Sequence, residues 1–374
     1  MKALMKVARG PGNVEVREIP IPKIPKGDSK MSGNKYLKWL SGNTDTVWWH
    51  DSADPDEIAI GIANGAVGIT TNPLLIKHAL YNKKRPWASM LSTVPKDIAG
   101  DEKAEEIIKR ISISIAGMFE PIYKRTDGKQ GYVCAQVNPK FPGDRERMLA
   151  MARRLSKWAP NIAVKLPATA AGLDTLEECV AEGITITATV SFTVPQVIAI
   201  AERYRKGLKR AKKAGIKQGK CFAVIMVGRI DDYLRDVAHD SNAPIKESDI
   251  TMAGTAIMKM AYGIFEEKNY EAVLMPAGMR GAYHTTALAG AHMALSIHPK
   301  IQAMFSELSG PFEKQIDEKV DTDVIKRLKT IPEFSRAYEP DGMAPSEFIS
   351  YGTVQKTLSQ FVDAGWANIE EYVL

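Results

Sequence analysis

Long apolar runs are missing from this chain of 374 residues. No stretch reaches the roughly 18 uncharged apolar residues that a membrane-spanning helix needs. The start carries Lys2, Lys6 and Arg9 and has no apolar core of the kind that directs secretion. We therefore expect a cytoplasmic protein with no membrane partner.

Cysteine clusters and glycine-rich cofactor motifs are also missing. Cys134, Cys179 and Cys221 lie too far apart for a metal site, and an odd number argues against a disulfide framework, so we expect small buried thiols. Residues 1–28 resemble the first strand of medium-chain zinc alcohol dehydrogenases. No cysteine cluster and no Gly-x-Gly-x-x-Gly follows, however, so the sequence predicts neither zinc nor nicotinamide chemistry.

The net charge of +6 is mild for this length. It suits anionic small-molecule substrates and falls short of what a nucleic-acid binder carries. One stretch, residues 203–220, contains nine basic residues and no acid. An apolar stripe through Val197, Ile200 and Tyr204 predicts a helix there. Since no other aromatic residue is interleaved with the charges, we expect a solvated face and no nucleic-acid partner.

Short β-branched runs alternate with helical periodicity through most of the chain. The helices between them are predicted from Asp54-Pro55 and over residues 101–124, 144–158, 173–182, 196–213 and 250–266. We predict eight strands, at Val47–Asp51, Val67–Thr71, Tyr132–Val137, Ile162–Leu166, Thr185–Val190, Cys221–Val227, Ala272–Met275 and Met293–His298.

Eight such units favour an α/β fold, a (β/α)8 TIM barrel closed by right-handed crossovers. An open doubly wound sheet is the alternative, but the glycine fingerprint after its first strand is missing. We assign residues 1–30, with prolines at 20, 22 and 25, to a short N-terminal extension, and residues 31–374 to the barrel with extra C-terminal helices. Those helices, near 312–329 and 345–364, are expected to pack across the barrel. The second offers a lid or a surface for a homo-oligomer.

Polar side chains stand at the carboxyl ends of different predicted strands. In a barrel these ends converge on one mouth, where such enzymes carry their chemistry. A lone strand-end lysine is most often solvated, but seven polar residues in register favour a site. The seven are Asp51, Asn72, Gln136, Lys165, Thr189, Arg229 and Arg280.

Four motifs in this order resemble those of transaldolases, the class I aldolases whose Schiff-base lysine lies on the fourth barrel strand. They are Gly68–Pro73, Val164–Thr169, Glu182–Ile184 leading to Thr189, and Val227–Ile230. The likeness covers residues 45 to 300 or so. It implies the transfer of a dihydroxyacetone unit between sugar phosphates, as in the pentose phosphate pathway, without a cofactor.

The resemblance also implies roles for single residues. Lys165 is then the imine-forming lysine and Asp51 the acid–base carboxylate, while Asn72 and Thr189 orient the substrate and a catalytic water. Imine formation needs a neutral amine, which a dry interior favours, and the later steps need proton transfers. Arg229 and Arg280 suit a bidentate grip on phosphate, so we expect phosphorylated ketose and aldose substrates.

Departures from the family pattern leave the reaction open. Transaldolases carry a glutamate where this chain has Gln136, an asparagine at Thr187 and a serine at Val224. Gln136 and Val224 resemble fructose-6-phosphate aldolases, but the tyrosine of that branch is Met226 here, and the phosphate serine is Gly278. A lyase that releases dihydroxyacetone and a non-catalytic sugar-phosphate-binding barrel therefore remain alternatives.

The side chain of Gln136 cannot act as a catalytic base, because an amide does not titrate. We still count Gln136 among the catalytic positions and Thr187 among the substrate-binding ones. His50, Tyr283 and His284 are the nearest candidates in the sequence to supplement Asp51.

Overall fold

The computed structural model describes residues 33–83 and 85–374, and the backbone of two short strands, Lys2–Lys6 and Val14–Glu18. These two strands pair antiparallel. The alternation of Val14 and Val16 agrees with the second of these strands, whereas the prolines at 20, 22 and 25 lie outside the described residues. The chain divides into two compact units, Met1–Gly33 and Asn34–Leu374.

All eight predicted barrel strands form, and each of their ends lies within two residues of the prediction. They are buried along most of their length, as strands covered on both faces must be. In chain order they are Val47–Asp51, Gly68–Thr70, Tyr132–Gln136, Ile162–Pro167, Ile186–Thr189, Cys221–Met226, Val273–Ala277 and Ala294–Ile297.

The strands form one parallel sheet that closes almost completely. Its order is eighth, first, second and so on to seventh, and each strand is hydrogen-bonded to its neighbours in this order. In the described part of the chain no ladder joins the seventh strand to the eighth, although the two strands lie against each other. Pro276 lies in this seventh strand and has no N–H to donate, as is usual at a sheet edge. The fold is a (β/α)8 barrel.

Capping residues mark the ends of several predicted helices. The Asp54 carboxylate accepts from the backbone N–H of Asp56, with Pro55 in the first turn, and Asp144 caps the helix after the third strand. Gly183, with φ +80°, follows a helix end, where the left-handed backbone favours glycine.

The α-helices surround the barrel and continue beyond it. They span Lys35–Asn43, Pro55–Ala63, Pro73–Leu80, Ala88–Leu91, Gly100–Arg125, Arg145–Leu155, Ala170–Ala181, Val194–Lys213, Val227–Asp240, Glu247–Ile250, Ala253–Glu267, Ala282–Ala287, Pro299–Met304, Thr322–Leu328, Pro332–Tyr338, Gly352–Ser359 and Ala367–Glu370.

The C-terminal region departs from the prediction. Of residues 312–329, only Thr322–Leu328 is α-helical. The backbone N–H groups of Gln315 and Ile316 donate to the carbonyl of Ala289 in the loop before the eighth strand, so they are not available to a helix. The helix Pro332–Tyr338 was not predicted.

Two other predicted helices are interrupted. Residues 345–364 contain a 3₁₀ turn, Pro345–Ser350, and a π-helix, Gln360–Trp366, besides the α-helix Gly352–Ser359. The helix predicted over 250–266 is split into Glu247–Ile250 and Ala253–Glu267.

Aromatic rings fill the lower part of the barrel interior. The Phe222 ring lies 4.6 Å from Trp49 and 5.9 Å from Tyr132, measured between centroids. A Cβ on Gly68 would lie 2.5 Å from the Trp49 indole, so glycine is needed for this packing. The three cysteines are buried and free, as predicted. This packing leaves the carboxyl ends of the strands to polar residues.

Residues 203–213 of the basic stretch lie in the helix Val194–Lys213, and the arginines of the stretch are paired with carboxylates of the same chain. Arg203 contacts Asp174 and Glu177, and Arg210 contacts Glu178. The predicted helix is therefore present, and ion pairs within the chain occupy part of its basic face. In the part of the chain that the structure describes, no helix is both long and apolar enough to cross a bilayer.

Candidate active site

Lys165 lies in the fourth strand between two polar residues of its neighbours. Strand register aligns it with Gln136 on one side and Thr187 on the other, so the three side chains share the inner face. The residue is 5% exposed, and its Nζ donates to the Thr71 carbonyl at 3.1 Å. Among the described residues, no carboxylate forms an ion pair with it. Its amine is therefore enclosed but not tied to an acid.

A set of polar contacts fixes the residues around this lysine. Thr71 Oγ1 donates to the Cys134 carbonyl at 2.7 Å, which fixes the loop that supplies the carbonyl for Lys165. Cys134 Sγ lies 3.3 Å from Thr187 Oγ1. Burial raises the pKa of the Cys134 thiol, so it is neutral, while the Lys165 charge acts in the opposite direction.

Asp51 ends the first strand as part of a hydroxyl network. Thr70 Oγ1 donates to Asp51 Oδ1 at 2.7 Å, and the same hydroxyl lies 2.6 Å from Ser296 Oγ on the eighth strand. One carboxylate oxygen is therefore oriented while the other remains available. Sequence reasoning missed Thr70 and Ser296, although Thr70 is in the first matching motif.

Gln136 and Thr189 each present a free polar atom at the inner face. They are 5% and 1% exposed, and among the described residues neither Gln136 Oε1 nor Thr189 Oγ1 has a hydrogen-bond partner. Buried polar atoms nearly always find partners, so these two indicate a place for water or a ligand.

The loop after the fifth strand is held in an unusual backbone conformation. Val190 has φ +53°, a region that β-branched residues avoid. Gln196 Nε2 donates to the carbonyls of Val190 and Ala168, both at 3.2 Å, and its Oε1 accepts from Phe192 N–H at 2.9 Å. Gln196 thus fixes the loops after the fourth and fifth strands. No motif pointed to this residue.

Asn72 has a structural task in addition to its predicted role. Its Oδ1 accepts from the backbone N–H of Leu75 at 3.0 Å and caps the helix Pro73–Leu80. Only its amide NH₂ is left for a substrate, and the substrate-binding role stays a prediction.

Arg229 follows the sixth strand and is held by the C-terminal segment. Its guanidinium donates to Gln360 Oε1 at 2.6 Å and lies 5.7 Å from the centre of the Phe361 ring. Burial, together with the charge of Arg280, lowers the pKa of Arg229 to about 10, so it is a cation at neutral pH. No carboxylate within the described ranges forms an ion pair with it. Such a cation is suited to bind an anion.

Arg280, in contrast, is already paired. Its Nε and Nη2 lie 2.8 and 2.6 Å from Asp232 Oδ2, and its Nη1 donates to the Gly278 carbonyl at 2.8 Å. Gly278 has φ +63°, and a Cβ on Gly228 would lie 2.4 Å from the Gly278 oxygen. The segments that carry Arg229 and Arg280 thus pack against each other at Gly228 and Gly278. An anion that binds Arg280 has to compete with Asp232.

The three residues considered as supplements to Asp51, which are His50, Tyr283 and His284, each lie in a different environment. His50 points away from the barrel interior, because it packs on Gly61 of the helix Pro55–Ala63 and lies 3.0 Å from Gln302 Nε2. Burial raises the pKa of Tyr283 to about 12. His284 is buried and hydrogen-bonded to Asp231.

The C-terminal segment extends over the rim of the mouth. Gly365 packs on the start of the helix Pro73–Leu80, where an added Cβ would lie 2.9 Å from Pro73 Cβ. Trp366 Nε1 donates to Asp101 Oδ1 at 2.8 Å. Together with the contact between Gln360 and Arg229, this links opposite sides of the mouth.

Comparisons with known proteins place this geometry in a family. The family model "Transaldolase/Fructose-6-phosphate aldolase" matches residues 48–341. Transaldolase 1 of Streptomyces avermitilis is 28% identical over 206 residues, 54% of each chain. A transaldolase of Kocuria rhizophila is 30% identical over 54% of this chain and 56% of its own.

A transaldolase of Mycolicibacterium smegmatis is 27% identical over 63% of this chain and 66% of its own. The chain spans little more than half the length of the first two of these relatives. The family match covers most of the barrel, including every predicted site residue. The chain therefore belongs to the transaldolase/fructose-6-phosphate aldolase family.

Proposed function

We propose that this protein is a transaldolase-type transferase that moves a dihydroxyacetone unit from a phosphorylated ketose to a phosphorylated aldose through an imine on Lys165. The observation that carries the proposal is the enclosed Lys165 amine, which is aligned with Gln136 and Thr187 and makes no ion pair with a described carboxylate.

The chemistry follows from the groups around this amine. Lys165 Nζ adds to the ketose carbonyl, and loss of water from the carbinolamine gives the imine. Asp51, oriented by Thr70, accepts a hydroxyl proton as the C–C bond breaks, and the electron pair moves into the imine as an enamine. The aldose product then leaves and the acceptor aldehyde takes its place. The reverse steps and hydrolysis release the new ketose.

The remaining polar atoms provide for water and for charge. Gln136 Oε1 and Thr189 Oγ1 suit a water that relays protons between the substrate and Asp51, since the amide itself does not titrate. Arg229 and Arg280 suit the phosphate end of the substrate. The family further supports a place in the pentose phosphate pathway and in the cytoplasm, which we include in the proposal.

Reductive trapping tests the proposal. Borohydride with dihydroxyacetone or fructose 6-phosphate should add one adduct at Lys165, detected by peptide mass spectrometry, and Lys165→Met should abolish it. Lys220→Arg is a matched control, because Lys220 Nζ also donates to a backbone carbonyl, that of Lys129 at 2.9 Å, but precedes its strand. Its adduct should form as in wild type. An adduct on another lysine, or none in the folded protein, would refute the imine mechanism.

A lyase that releases dihydroxyacetone is the second candidate, and the glutamine at 136 favours it. The acceptor distinguishes the two. In a transferase, erythrose 4-phosphate should speed donor consumption, because it drains an enamine that otherwise discharges slowly. Release of free dihydroxyacetone at an acceptor-independent rate would assign the lyase. Phosphate binding without any adduct would assign a non-catalytic sugar-phosphate-binding barrel.

A further inference from the structure

A buried imidazole–carboxylate pair lies beside the two arginines and has no role in the proposed chemistry. His284 Nε2 is 2.9 Å from Asp231 Oδ2, and both side chains are fully buried. Asp231 stands two residues after Arg229, and His284 four residues after Arg280. The pair therefore joins the two segments that carry the arginines.

The hydrogen bonds assign the state of the ring. The Arg280 backbone N–H donates to His284 Nδ1 at 3.2 Å, so this nitrogen carries no proton. Nε2 is then protonated and donates to Asp231, whose other oxygen accepts from the Gly254 N–H at 2.7 Å. Three hydrogen bonds thus connect the start of the helix Ala253–Glu267 to the backbone of Arg280.

We propose that His284 and Asp231 are positioning residues that hold Arg280 in place for the anionic end of the substrate. The proposal rests on the proposed function, because it assigns the anion to a sugar phosphate. If Nδ1 no longer accepts, the half-buried Arg280 N–H loses its partner, which is costly. The peptide then turns to find another partner and takes the guanidinium away from its place beside Gly278.

Two substitutions of His284 separate positioning from space filling. The side-chain oxygen of His284→Asn can occupy the place of Nδ1 and still accept from Arg280. The amide of His284→Gln can occupy the place of Nε2, which keeps the contact with Asp231 and loses the acceptor. Asparagine, the smaller residue, should therefore preserve anion binding better than glutamine.

Asp231→Asn provides a third, nearly isosteric variant. If its oxygen continues to accept from the Gly254 N–H, its NH₂ faces His284 Nε2 and stabilises the opposite tautomer. Nδ1 then carries a proton that faces the Arg280 N–H. A comparable exchange of tautomer through an Asp-to-Asn substitution is known from serine protease triads.

The measurement is titration calorimetry of inorganic phosphate with the full chain. We expect His284→Gln and Asp231→Asn to weaken phosphate binding about tenfold and His284→Asn to stay within about threefold of wild type. Binding like wild type in all variants, equal weakening in all, or better binding with glutamine than with asparagine would overturn the proposal. So would wild type that binds no phosphate. If His284→Gln does not fold, Asp231→Asn against His284→Asn decides.

Trapping of dihydroxyacetone on the wild-type protein keeps this test apart from the proposed function. The trapping reaction needs Lys165 and no phosphate. An absent adduct with the expected ranking in phosphate affinity would reject the imine mechanism and keep the positioning role. An adduct without the expected ranking would keep the imine mechanism and reject the positioning role.

Discussion

The two sides of the barrel mouth are built in different ways. Around Lys165 the contacts come from neighbouring strands, whose register places Gln136 and Thr187 beside the amine. Around Arg229 and Arg280 the contacts come from residues outside the strands, including Gln360, 131 residues further along the chain than Arg229. The lysine side is thus fixed by the sheet, whereas the arginine side depends on tertiary packing.

The two sides of the mouth therefore also differ in what happens when a substrate binds. On the lysine side, Gln136 Oε1 and Thr189 Oγ1 lack protein partners among the described residues, so water or substrate binds there without breaking a contact. On the arginine side, a phosphate at Arg280 has to compete with Asp232. We infer that the carbonyl end of the substrate enters a preformed site and the anionic end an occupied one.

The largest expected effect tests whether Arg229 contributes more to phosphate binding than Arg280 does. Arg229→Ala should lower kcat/KM for phosphorylated substrates by about 2–4 kcal/mol, because it removes a partly buried cation with which no described carboxylate forms an ion pair. Arg280→Ala should cost about half as much, although the sequence places both arginines at the phosphate, since Asp232 already offsets the charge of Arg280. The ratio kcat/KM for fructose 6-phosphate against fructose measures both.

Two neighbouring substitutions serve as controls. Arg235→Ala removes a cation that also contacts Asp232 but pairs with Glu247, so it should leave the substrate ratio nearly unchanged. Asp232→Asn should raise phosphate affinity by a small factor, because a competing carboxylate is lost. A larger loss from Arg280→Ala than from Arg229→Ala would contradict the comparison.

On the lysine side, the main test is the carboxylate. Asp51→Asn should lower kcat by about 10²-fold or more, the usual scale for one acid–base group. Trapping at Lys165 should persist at slightly acidic pH, because Asp51 moves protons without forming the imine bond. Loss of trapping together with turnover would instead give Asp51 a role in imine formation.

Sequence reasoning predicted the fold and the lysine side well. The eight strands follow from short β-branched runs bounded by turn residues, and the residues at their carboxyl ends converge because parallel strands share one edge. Thr70 and Ser296 were missed, since a threonine or serine in a strand gives no signal until the register places it beside Asp51.

The arginine side could not be predicted to the same depth. The contact between Arg280 and Asp232 is an ion pair between separate segments, and nothing in their spacing reveals it. The failed helix prediction over 312–321 has a similar cause, because the backbone N–H groups of Gln315 and Ile316 donate to the carbonyl of Ala289 instead of to a preceding helical turn. Such choices depend on tertiary contacts that override local propensity.

Smaller losses should come from the hydroxyls that orient Asp51. Thr70→Val keeps the shape and removes the donor to Asp51, so we expect kcat to fall about tenfold, the value of a hydrogen bond to a charged group. Ser296→Ala acts only through Thr70 and should cost less, about twofold to fivefold. Single-turnover rates measure both. A larger loss from Ser296→Ala would mean that this serine touches the substrate itself.

The smallest effect concerns Gly278, at the position where the resemblance to transaldolases leads one to expect a phosphate-binding serine. Gly278 has φ +63°, and an added Cβ would have ordinary contacts, no nearer than 3.7 Å. Gly278→Ala and Gly278→Ser should therefore both lower the free energy of unfolding by about 1 kcal/mol through backbone strain alone. Gly42→Ala, in a helix with open space, should instead raise it by up to about 1 kcal/mol. Urea unfolding compares the three. A different result would be that Gly278→Ser strengthens phosphate binding without loss of stability. Backbone strain would then not explain the glycine at this position, and we would conclude that the arginine side is adapted to a substrate other than a phosphate.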